Sequence, residues 1–229
     1  MGEKIKIIEL GFVNAFLIDV KSGFILIDTG TADKWPELEQ QLLSSGCLPD
    51  KLKLVAITHG DFDHTGNCAV LQEKYKAKIA MHASDSDMAE SGKQNERAVR
   101  SLRFRAVRVV RKITGIFKKK AKESGSSFKT FKPDLYLHDG QDLKEYGFDA
   151  RVHHIPGHTG GSIVILTKKG DLFAGDMYTN LSKPDISPYV ENFTDLKNSL
   201  KKVKALKAVK IYPGHGKPFS ADALAKLSL

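Results

Sequence analysis

The sequence predicts an α/β fold, a four-layer αββα sandwich with a basic helical insertion. Strand-like apolar runs fall into two sets along the chain, and each set is followed by helix-like periodicity. Two sheets facing each other, with helices outside, accommodate that order. In addition, His and Asp residues recur where strand-like runs end, most of them beside Gly or Pro. Strand ends opening into turns are where α/β proteins place their chemistry. The 229 residues suit one domain, residues 1–229, with the insertion at approximately 84–130.

Ile5, Ile7 and Leu10 alternate weakly, and residues 13–20 and 24–27 read as a hairpin around Lys21, Ser22 and Gly23. A helix is expected over residues 35–43, with Pro36 in its first turn. Residues 52–57 form an apolar run that reads as a buried strand, and a helix follows to Tyr75. Residues 78–81 are a short strand. The strand–helix rhythm then breaks until about residue 130 and returns over 129–138 and 141–146. Three more strands are expected at 152–155, 162–167 and 172–174. A helix over 193–206 and a last strand over 208–212 complete the pattern.

The densest chemistry is the run His59-Gly60-Asp61-Phe62-Asp63-His64, directly after the 52–57 strand. Two imidazoles and two carboxylates in one short turn can reach one metal ion or two. Further ligand types stand at His158, Asp176 and His215, each beside a glycine that lets the backbone approach closely. One such residue alone is an ordinary polar turn residue. Seven in this arrangement point to a metal site.

These pieces carry a family resemblance. THGDFDH (58–64), PGHTGGS (156–162), FAGD (173–176) and YPGHG (212–216) resemble, in order and spacing, the motifs of the metallo-β-lactamase fold superfamily of hydrolases. The resemblance spans most of the chain. It implies the αββα fold and a binuclear centre. His59, Asp61 and His158 would hold the first ion, Asp63, His64 and His215 the second, and Asp176 would bridge them. Asp63 is also the expected catalytic residue. Asp28, in the run Ile27-Asp28-Thr29-Gly30, is expected to support the ligands rather than to be one. The chemistry implied is attack by a hydroxide shared between the ions on an ester, thioester, lactone or phosphodiester, in a small-molecule substrate expected to be anionic.

One position departs from the family. Its second His is Asp61 here. Two divalent ions, three carboxylates and one hydroxide sum to zero, where a His at 61 leaves +1. A less positive centre disfavours zinc and favours iron or manganese. The same carboxylate prompts an alternative, a diiron oxidoreductase working with a separate flavoprotein.

Charge is unevenly spread. The chain carries +9, and residues 97–122 hold eleven Lys or Arg and no acid, so the remainder sums to 9 − 11 = −2. Apolar residues there recur every three or four positions, which predicts an amphipathic helix. Its cations, Arg100 and Arg108 among them, are candidates for substrate capture, as are Tyr178 and Asn180 just past Asp176. A non-catalytic module that binds nucleic acid or a membrane surface is a further alternative. Against it, the ligand set is intact, and no specific nucleic acid is expected. No apolar run approaches the length of a transmembrane segment. Cys47 and Cys68 do not form a disulfide framework, and no signal pattern is present, so a cytoplasmic protein is expected.

Overall fold

The computed structural model describes residues 4–100 and 128–229. The chain opens with β1 (Lys4–Leu10), β2 (Val13–Val20) and β3 (Gly23–Ile27), then α1 (Trp35–Ser44) and β4 (Leu52–Ala56). Next come α2 (Phe62–Thr65), α3 (Cys68–Tyr75), β5 (Ile79–Met81), α4 (Ser86–Ser91) and β6 (Ala98–Val99). The second half holds β7 (Leu135–Tyr136), β8 (Ala150–His154), β9 (Ile163–Thr167), β10 (Asp171–Asn180), β11 (Asp185–Ile186) and β12 (Tyr189–Val190). It ends with α5 (Phe193–Ala205), β13 (Lys210–Gly216) and β14 (Phe219–Ser220).

One sheet runs β1-β2-β3-β4-β5-β7 and the other β14-β13-β10-β9-β8, with β11 beside β10. Side-chain alternation builds the layers. Phe16, Ile18, Ile25, Ile27, Leu54 and Ala56 of the first sheet meet Val152, Ile163, Ile165, Phe173 and Tyr212 of the second in one core. Their neighbours in sequence point the other way. Leu17, Leu26 and Val55 pack with Leu38, Leu42 and Leu71 of the helices on the first sheet's outer face. Val164, Leu172, Ala174 and Ile211 pack with Leu196, Leu200 and Val203 of α5. Both faces of the central strands are buried, which is why they read as continuous apolar runs rather than alternating ones. The αββα expectation therefore holds.

The expected insertion differs at its near end. Helix α4 buries Met88 and Ala89, and Ala89 belongs to the first sheet's outer core. Ala98–Val99 is a strand where the periodicity predicts helix. It pairs antiparallel with β12, Val99 opposite Tyr189 and Ala98 opposite Val190. Tertiary pairing overrides the local pattern there. The rest of the expected basic helix, Arg108 included, lies outside the described residues. No helix among the described residues is long and apolar enough to cross a membrane. Cys47 and Cys68 are both unpaired and buried.

Candidate metal centre

Strand β4 delivers the first ligands. Beyond it, Thr58 N–H donates to Asp28 Oδ1 at 2.8 Å, fixing the turn that presents His59. Helix α2 starts with Asp61 at its N-cap, and the Asp61 carbonyl accepts from the backbone N–H of His64 and Thr65 at 2.9 Å. That single turn brings His64 back beside His59, with ring centroids 4.0 Å apart.

The other ligands come from the second sheet. His158 stands in the turn after β8, where Gly157 adopts φ +138° against the backbone of Leu196. Asp176 is not at a strand end, as the sequence suggests, but inside β10, which runs on to Asn180. Gly175, at φ +47°, interrupts the pairing of β10 with β13 on both sides. The resulting irregularity turns Asp176 towards the first sheet. His215 likewise lies within β13. Gly214 precedes it because a Cβ there would meet Asp176 Oδ1 and His64 Cε1 at 2.7 Å.

All four histidines are held through Nδ1. His59 Nδ1 is 3.0 Å from Thr58 Oγ1, His64 Nδ1 2.9 Å from Asp28 Oδ2, His158 Nδ1 2.9 Å from the Tyr189 carbonyl, and His215 Nδ1 2.7 Å from the Phe12 carbonyl. Their Nε2 atoms converge instead. His59, His158 and Asp176 offer ligand atoms within 4.8 Å of one another, and so do Asp63, His64 and His215. Asp176 lies between the groups. Its Oδ1 is 3.3 Å from Nε2 of both His64 and His215, and its Oδ2 is 3.7 Å from Nε2 of His158. Among the described residues, His59 Nε2, His64 Nε2 and Asp176 Oδ1 are buried without a hydrogen-bond partner. Buried polar atoms left unpaired are costly, and metal ligation satisfies them. Imidazole and carboxylate donors with Nδ1 pre-oriented fit divalent metal ions.

The charges in the cluster support one another. Burial works against charge on His64, but Asp28, Asp63 and Asp176 outweigh it and raise its pKa well above the ordinary value. Burial likewise opposes charge on His215, where Asp176 and Asp63 prevail and lift it to about 9. His59 goes the other way, lowered by burial and then by its neighbour His64. Burial disfavours the Asp176 carboxylate, yet His215 and His64 hold its pKa well below the usual range. Asp61 is likewise held low against its burial, by His59, His158 and Arg97.

Asp61 sits at the edge of the first group. Its Oδ2 is 3.3 Å from Nε2 of His59 and 3.2 Å from Nε2 of His158. Both of its oxygens also accept from the Arg97 guanidinium, one from each terminal nitrogen. Sequence reasoning counts Arg97 only as one cation of a basic helix and misses this pairing.

Of the residues expected to touch substrate, Tyr178, Asn180 and Arg100 make contacts within the fold, and Arg108 lies outside the described residues. Tyr178 is fully buried in the core beneath the second sheet, edge-on to Phe219, and does not line a cleft. Asn180 donates to the Lys217 carbonyl at 2.8 Å and so braces the end of β10 against the chain after β13. Arg100 is paired with Asp185 at 2.8 Å and also donates to the Ile186 carbonyl. A second missed residue is Asp85, fully buried just before α4. Its carboxylate accepts from Gly60 N–H, Thr159 Oγ1 and Gly161 N–H at 2.7–2.8 Å. It thereby joins the loop of His59 to the loop of His158. Only its position after a short strand could have marked it.

Comparison with known proteins places the whole chain. The chain is 26% identical to the acyl-coenzyme A thioesterase MBLAC2 of Bos taurus over 234 residues, covering 94% of this chain and 77% of that protein. It is 28% identical to a hydroxyacylglutathione hydrolase of Pelagibacter ubique, covering 72% of this chain and 52% of that one. A metallo-β-lactamase family protein from Thermus thermophilus superposes with a TM-score of 0.70 at 22% identity, over 96% of this chain and 75% of the other. Residues 8–215 match the family model of the metallo-β-lactamase superfamily, and the chain belongs to that superfamily.

Proposed function

We propose that this metallo-β-lactamase-superfamily hydrolase cleaves a thioester at a binuclear centre, releasing a carboxylic acid and a thiol. One observation carries the reading: two groups of three ligands each, with Asp176 placed between them. His59, His158 and Asp176 would hold one ion, with Asp61 beside them. Asp63, His64 and His215 would hold the other, with Asp176 shared. Ions bound there would polarise the thioester carbonyl and lower the pKa of water.

The chain's own residues do the rest. The four Nδ1 contacts fix the imidazoles so that little reorganisation accompanies the reaction. Asp63 is 13% exposed, with Oδ2 3.5 Å from His215 Nε2, and it orients the attacking water by accepting one of its protons in a hydrogen bond. Water adds to the carbonyl carbon, the C–S bond breaks, and the sulfur leaves with its electron pair and then takes up a proton. Among the expected bond types, thioester is favoured because two relatives are named for acyl-coenzyme A and hydroxyacylglutathione substrates. The basic run within residues 97–122 suits a substrate whose thiol half is anionic.

The test follows thiol release from an acyl-coenzyme A and from an S-hydroxyacylglutathione, using metal-loaded protein of measured metal content. Release should fall at least ~100-fold in Asp176→Asn, because the ligand shared by the two groups loses its charge. Full metal content with no release from either compound overturns the thioester reading.

A further inference from the structure

Arg97 is placed with care for a surface cation. Its side chain is only 11% exposed. The backbone on its C-terminal side is pinned by the β6–β12 ladder, and Arg100 N–H donates to the Pro188 carbonyl at 2.8 Å. On its N-terminal side, Asn95 reaches Glu191 at 3.3 Å and Gln94 reaches the Gly60 carbonyl at 3.4 Å. The guanidinium is thus held over the ligand loop by contacts on both sides. There it takes both oxygens of Asp61 in a fork, with Nη1 also 3.3 Å from His158 Nε2. A two-pronged guanidinium–carboxylate pair in a nearly buried place is among the stronger side-chain contacts and fixes orientation as well as charge.

The partner is the carboxylate that departs from the family pattern. A carboxylate in place of an imidazole adds a negative charge to the centre. Arg97 brings a positive one into direct contact with it. With two divalent ions, three carboxylates, one hydroxide and Arg97, the centre sums to +1, the value that a His at position 61 provides without any arginine.

We infer that Arg97 is the resident counter-ion of Asp61, a positioning residue that stays paired with it when metal is bound. It makes Asp61 electrostatically equivalent to a neutral ligand and restricts it to ligation through one oxygen. This removes the reason for expecting iron or manganese over zinc, because the extra charge that disfavoured zinc is cancelled. It also assigns a function to the near end of the basic segment that differs from substrate capture. The inference rests on the binuclear reading above.

The experiment measures the affinity of each site for zinc and for manganese by competition with a chromophoric chelator. It compares full-length wild type with Arg97→Gln and Arg97→Lys. Folding is checked by circular dichroism, and Arg97→Lys, which keeps the charge, serves where the neutral variant fails to fold. In Arg97→Gln one of the two ions should bind about tenfold tighter or more, since an adjacent positive charge has gone. Manganese should gain more than zinc. Arg97→Lys keeps the charge but loses the fork, so its affinity should lie between those of wild type and Arg97→Gln. A merely structural role would weaken binding in both variants. Unchanged or weaker affinity in Arg97→Gln, or a gain in Arg97→Lys as large as that in Arg97→Gln, overturns the inference. A wild-type protein that takes up fewer than two ions overturns the binuclear reading first, and the inference with it.

Discussion

Asp85 Oδ2 lies 2.7 Å from Thr159 Oγ1, and this contact crosses from the helical side of the first sheet to the His158 turn of the second. The same carboxylate also accepts from Gly60 and Gly161. Replacing Asp85 by Ala leaves the Gly60 and Gly161 N–H groups without their acceptor and Thr159 Oγ1 with Ser162 Oγ in its place. The expected loss is about 3 kcal/mol, or roughly 2–4 °C of Tm per kcal/mol for a domain of this size. Calorimetry of the metal-free variant checks it, and an unchanged Tm contradicts the clasp.

Asp28 accepts from both Thr58 and His64 inside the core of the site. Asp28→Asn keeps the size but removes the charge that holds His64 Nδ1–H. Such supporting partners typically contribute ~10–100-fold to metal affinity. Chelator competition should show a loss of that order, with circular dichroism unchanged. Affinity equal to wild type would remove Asp28 from the site.

Gly214 has an ordinary backbone conformation, so Gly214→Ala tests space alone. The added methyl group meets Asp176 and His64 at 2.7 Å, inside contact distance. The fold should survive while bound metal per chain falls by about half or more, because two ligands are pushed apart. Elemental analysis of the purified variant decides it. Full metal content would show that the ligand cage yields without cost.

Stability of the metal-free protein should depend on pH with a defined sign. His215 is raised from 6.5 to about 9, first against burial and then by Asp176 and Asp63. A raised pKa contributes stability that is complete below 6.5 and is lost as pH climbs through about 9. His64 is shifted in the same direction, whereas His59, lowered by burial, changes stability only below 6.5. Asp61 and Asp176 are held below 3.8, so their contribution is present above that value and fades on acidification. The Tm of metal-free protein should fall between pH 6.5 and 9. A Tm that rises over that interval contradicts the assignment.

The sheets and the cluster of His and Asp side chains are legible in the sequence because both are local signals. An apolar run such as residues 52–57 declares a buried strand, and a glycine beside a His or Asp marks a close approach of the backbone, which at Asp176 and His215 occurs within a strand. Arg97 is not legible in that way. Its partner is 36 positions away, and its neighbours carry a helical period that a two-residue strand pairing overrides. Asp85 is hidden for the same reason, since the two loops that it joins are far apart in sequence. Tyr178 misleads differently. The irregular pairing around Gly175 resets the alternation of β10, so Asp176 faces the ligands while Tyr178, two residues on, is buried against Phe219 and Ile186.

His215 takes its orientation from the carbonyl of Phe12, a main-chain atom that every amino acid possesses. The Phe12 ring is separately 58% exposed and stacks on the imidazole at 5.7 Å. Position 12 can therefore drift through evolution, or be randomised in a library, without losing the bond that aims the ligand. The wall beside the candidate metal centre becomes a place where selectivity can be rewritten while the ligand cluster is inherited intact.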